Sequence, residues 1–95
     1  MITVARLPGD EPMAFEVVVD DGRSRTRHRV TMAARLVAPG HTPEQCVEAA
    51  FRFLIDREPK ESILRGFDVS VIARYFPEFD EEWPRYLAGD ETTKR

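Results

Sequence analysis

One cysteine, Cys46, and two histidines, His28 and His41, are all the thiol and imidazole that 95 residues supply. A lone cysteine makes no internal disulfide, which fits a reducing compartment. The three residues share none of the paired spacings that set ligands on one side of a zinc ion, so neither a metal nor a cofactor is expected. Long apolar runs are missing as well. The longest, such as Val17–Val19 and Phe53–Ile55, fall far short of the ~20 residues a membrane helix needs. Met1–Pro8 shows no basic segment leading into an apolar stretch, so no secretory signal is read and a cytoplasmic setting is expected. Positive charge is not in excess: 14 Lys and Arg stand against 17 Asp and Glu, a formal charge of −3 that exerts no global pull on nucleic acid. The chain also lacks a glycine-rich phosphate loop, a Ser/His/Asp arrangement and a framed carboxylate pair. No catalytic residue is assigned, and the chain is read as a non-enzyme.

What is present suits one small domain. With 42 % hydrophobic residues the chain can bury roughly two-thirds of its unfolded surface, enough for one modest core. Residues 1–43 carry six basic and five acidic side chains, and residues 44–95 carry eight and twelve, so the acidic excess lies in the second half. The first half reads as strands. Phe15-Glu16-Val17-Val18-Val19 is short and β-branched and runs into Asp20-Asp21-Gly22, residues that accept tight turns. The alternating Arg25–Val30 follows, predicting a hairpin of 14–20 with 24–30, and Ile2–Leu7 offers a third strand at an edge. Met32–Val37 reads as a short helix after Thr31, with a longer second strand as the competing reading.

The firmest element begins at Thr42. Thr as N-cap, Pro43 in the first helical position, Glu44 in the first turn and Gln45 completing a capping box together satisfy the unpaired N–H groups of a helix start. Over 43–57, residues Cys46, Val47, Ala50, Phe51, Phe53, Leu54 and Ile55 cover more than a third of the circumference, so this helix must pack on more than one neighbour. Pro59 ends it, Lys60–Arg65 forms another turn, and Gly66 is placed as a C-terminal cap. Asp68 caps a segment through Phe76 in which Ile72, Tyr75, Phe76 and Phe79 recur at helical spacing, and a short turn containing Trp83 lies between Pro77 and Pro84. The domain is drawn at 1–87, with 88–95 as a disordered tail.

Two charged segments and one aromatic pair are candidate surfaces. Arg23, Arg25, Arg27 and Arg29 would project from one strand face as a cationic ladder able to grip phosphates. The simpler reading is a solvated face paired with Glu16 and Asp20 or with acids of the second half. Glu78-Phe79-Asp80-Glu81-Glu82 could attract that ladder, but acids also suit a helix N-terminus without any ligand. Most aromatics belong in the core, while Trp83 and Tyr86 could rim a partner-binding groove or a homodimer interface.

The runs Thr42-Pro43-Glu44, Phe51-Arg52-Phe53-Leu54, Arg57–Leu64 and Arg74–Glu78 resemble a group of short uncharacterised bacterial proteins, a likeness over about residues 42–80 that implies a bacterial cytosolic setting and no site. A looser similarity is to HicB-type antitoxins, in which a hairpin precedes a helix opened by a turn like Gly40–Cys46; the segments after residue 58 depart from that pattern. The expected architecture is α+β: an N-terminal antiparallel hairpin of two or three strands packed on one main amphipathic helix and two or three short ones. The expected role is a protein-interaction or regulatory module, bound to a protein partner or to itself as a homodimer, with nucleic-acid binding through Arg23–Arg29 as the alternative.

Overall fold

The computed structural model describes residues 1–89. Three antiparallel strands, β1 (Ile2–Leu7), β2 (Met13–Asp20) and β3 (Arg25–Met32), form a meander in sequence order. A fourth, β4 (Gly66–Asp68), lies parallel to β3 on its far side. The hairpin register pairs Asp20 with Arg25 and Met13 with Met32, so side chains at odd positions of β2 share a face with even positions of β3. Met13, Phe15, Val17 and Val19 are buried there with Thr26, His28, Val30 and Met32.

The long helix α1 (Pro43–Ile55) opens as the sequence predicts. Thr42 Oγ1 accepts from the Gln45 N–H at 3.1 Å, and Gln45 Oε1 accepts from the Thr42 N–H at 2.9 Å. Its wide apolar arc is divided between two neighbours. Phe51 faces the sheet, meeting the His28 ring at 5.4 Å and Phe67 of β4 at 5.9 Å. Phe53 faces the other helices, with Phe79 at 5.0 Å, Tyr86 at 5.8 Å and Phe76 at 5.9 Å. Those rings come from α2 (Ile72–Tyr75) and its C-terminal neighbour Phe76, and from α3 (Phe79–Leu87).

Several boundaries differ from the sequence reading. Helix α1 stops at Ile55 with Asp56 as its cap. Met32 belongs to β3, because pairing with Met13 buries it, and only a 3-10 turn at Ala34–Leu36 remains of the expected helix. Lys60–Ser62 is likewise a 3-10 turn. Gly66 caps no helix and instead opens β4. The turn around Trp83 is a nine-residue helix that holds Pro84 within it. Asp68 does cap as expected, its side chain accepting from the Ser70 N–H at 3.0 Å. Residues 90–95 of the expected tail lie outside the described residues.

Phe53 is fully buried at the junction of α1, α2 and α3. Phe53→Ala is therefore expected to lower the unfolding free energy by about 3–5 kcal/mol, measured by chemical denaturation monitored by far-ultraviolet circular dichroism.

Candidate functional site

Among the described residues, helices cover one sheet face only, and the alternation of β3 places Arg25, Arg27 and Arg29 on the other. The ladder therefore exists with three rungs, while Arg23 sits in the hairpin turn ahead of the strand. Two rungs are paired across the hairpin: Arg25 with Asp20 at 3.2 Å and Arg27 with Glu16 at 3.3 Å. Arg29 stands opposite Glu16 in the register. The acidic run meets other partners. Glu78 accepts from Arg57 at 3.0 Å, and Glu82 pairs with Arg85 of its own helix at 3.6 Å.

Trp83 and Tyr86 have contacts inside the domain. The Trp83 indole N–H donates to the Cys46 carbonyl at 2.9 Å while its ring stacks on Phe79 at 4.8 Å. Tyr86 is only 3 % exposed, and its hydroxyl donates to Asp56 and accepts from Arg57 at 3.3 Å. Burial and the Asp56 carboxylate raise the phenol's pKa above its ordinary value. Cys46 is buried in the first turn of α1.

His28 and Lys60 carry the polar chemistry of the interior. His28 is 2 % exposed; its Nδ1 lies 2.7 Å from the Leu64 carbonyl and its Nε2 2.8 Å from Thr26 Oγ1. A carbonyl only accepts, so Nδ1 carries the proton, and the Thr26 hydroxyl donates to the bare Nε2. Burial lowers the imidazole pKa, and the Arg65 charge lowers it further, against the opposing hydrogen bond to Leu64. Lys60, 6 % exposed, spends its three ammonium protons on Asp21 at 2.7 Å, Ser24 at 2.8 Å and Glu61 at 2.7 Å. Those carboxylates raise the Lys60 pKa, and Lys60 with the Arg23 and Ser24 N–H groups holds Asp21 well below the usual carboxylate range. A buried ammonium with every donor satisfied is a structural tie, with no proton left for a ligand.

A groove stands out that the sequence reading did not anticipate. It encloses about 330 Å³ between the C-terminal end of α1, the turn after it, β4 and α2. Leu54, Ile63 and Ile72 form its buried lining, and Phe67 and Phe76 close it at the sides. Leu64 and Tyr75 stand on its rim 48 % and 66 % exposed, among the few large apolar side chains left in water. Tyr75 thus departs from its expected core position: four helical residues cannot turn every member of that stripe inward. Of the ten lining residues Glu58 is the one carboxylic acid, and none is basic. Its side chain has no hydrogen bond or ion pair among the described residues, and burial raises its pKa above the usual glutamate value. The one available clue was Leu64, the second of two apolar residues between Ser62 and Arg65, with no helical or strand pattern to place it.

Among the described residues no group of three or more His, Cys, Asp or Glu could hold a metal ion, and no helix is long and apolar enough to cross a membrane. No protein-family model, curated protein or solved structure matches the chain, so the resemblances noted above rest on its own residues.

Because the folded His28 takes up its proton at lower pH than an unfolded one, the unfolded chain binds the extra proton between pH 6.5 and the depressed folded value. Stability from this group is complete above pH 6.5 and declines as pH falls through that window. Urea midpoints measured from pH 7.5 to 5 should show this slope in the wild type and a flatter one in His28→Gln.

Proposed function

We propose that the protein is a non-enzymatic protein-interaction module that docks a partner polypeptide in the groove between α1, β4 and α2. One observation carries this reading: an apolar depression rimmed by exposed Leu64 and Tyr75 on a domain whose other large apolar groups are mostly covered. Exposed apolar surface bordered by polar residues is characteristic of binding surfaces. The volume is at the lower end of the roughly 300–1,000 Å³ of small-molecule pockets, a scale that suits one or two anchoring side chains. The sheet's open face supports nucleic-acid binding less well, because Asp20 and Glu16 neutralise Arg25 and Arg27 across the hairpin.

Self-association is a second route to the same role. Asp20 N–H bonds the Met1 carbonyl at 2.9 Å, and bonded pairs alternate along an antiparallel ladder. Thr3, Ala5 and Leu7 therefore turn their backbone groups toward β2, while Ile2, Val4 and Arg6 turn theirs outward. Pairing two β1 strands about Val4 sets Ile2 against Arg6 of the second copy and satisfies all of these groups at once.

Affinity capture from the source cells with the wild type and with Leu64→Ser/Tyr75→Ser tests the groove. Both proteins should show the same circular dichroism spectrum, and a polypeptide held by the wild type should be lost from the double variant; identical captured sets, or none, would refute the docking reading. For the edge, multi-angle light scattering should show a mass that rises with concentration and returns to that of one chain in Val4→Pro, whose lost N–H points away from β2.

A further inference from the structure

Resting on the docking reading above, we infer that the segment held in the groove carries a bulky apolar side chain beside a lysine or arginine, whose cation pairs with Glu58. The argument is one of charge complementarity. The cations nearest along the chain are already taken: Arg57 by Glu78 at 3.0 Å, and Lys60 by Asp21 and Glu61 at 2.7 Å each. Among the described residues Glu58 is left as a lone carboxylate on a wall otherwise made of aliphatic side chains, aromatic rings and Ser62.

Its position in the fold sharpens the point. The Glu58 N–H bonds the Leu54 carbonyl at 3.0 Å, so the residue lies just beyond the Asp56 cap, folded back against the C-terminal end of α1. That end of a helix carries partial negative charge and favours cations. Arg57 meets this preference, its guanidinium lying 3.7 Å over the Phe53 ring and donating to the Phe53 carbonyl at 3.2 Å. Glu58 does the reverse, adding a carboxylate to a negative pole without a compensating partner. A cation arriving with the ligand would gain from both the carboxylate and the helix end, in surroundings that water only partly reaches. The apolar neighbour on the same segment would fill the depression between Leu64 and Tyr75. Glu58 thus determines which segments are accepted, and the rim supplies area.

A random peptide library displayed on phage is panned against the full chain, Glu58→Gln and Leu64→Ser/Tyr75→Ser. The wild type should enrich peptides in which Lys or Arg adjoins an aromatic or large aliphatic residue. Synthetic copies of those peptides should bind Glu58→Gln roughly tenfold more weakly, with a smaller dependence on salt. Enriched peptides without a basic residue, or equal binding by Glu58→Gln, would overturn the charge pairing while leaving the groove as a docking site. Binding unchanged in the double rim variant, or no enrichment by any protein, would overturn both. Thermal melts of the variants establish that each is folded, and the altered side chains lie outside the buried core.

Discussion

The return of the chain to β3 after α1 is the constraint on which the rest depends. A strand of three residues has too few ladder bonds to hold its own place, and β4 is fixed by what surrounds it. Arg29 N–H bonds the Arg65 carbonyl at 2.8 Å, and the His28 imidazole bonds the neighbouring Leu64 carbonyl from inside the core. At the other end of β4, the Thr31 hydroxyl donates to Asp68, whose second oxygen caps the turn that follows. These bonds lay Phe67 against Phe51 and leave Leu64 facing water. The groove wall is therefore a product of strand pairing, and the hydrogen bond from one buried histidine helps to hold it.

The charged groups around this wall show a clear division. Most ion pairs are local or bridge adjacent surface elements, where each contributes little. Lys60 differs because its side chain is withdrawn from water, so its three acceptors are needed to offset lost hydration. Arg57 likewise combines a ring face, a helix carbonyl and a carboxylate in one place. Beside these two satisfied cations, the Glu58 carboxylate, with no hydrogen bond or ion pair among the described residues, is conspicuous in an apolar recess.

The legible parts of the sequence were those in which local chemistry and tertiary demand coincide. Alternation and the Asp-Gly turn placed the hairpin, and the Thr42–Gln45 box placed the start of α1, since a capping box is satisfied by residues a few positions apart. The α+β architecture followed from these elements. Long-range contacts were harder to read. Met32 joined a strand because Met13 lies opposite it, although its neighbours are good helix formers. Gly66-Phe67-Asp68 is too short to show a period, and its strand state comes from β3. The groove escaped for the same reason: Leu54 lies in α1, Leu64 in the link before β4 and Tyr75 in α2, and only packing brings them together. The ladder was visible as a pattern, but its pairing with Asp20 and Glu16 needed the register.

Lys60 has a bearing on how such a chain reaches its final form. Its bonds to Asp21 and Ser24 join positions 39 and 36 residues apart, linking the tip of the hairpin to the turn beyond α1. Closing a loop of that length costs entropy that grows only slowly with length, but nothing is returned until both ends are in place. The knot can close only where hairpin tip and post-helix turn are held side by side. Its strength would be felt chiefly as slower departure from the native state.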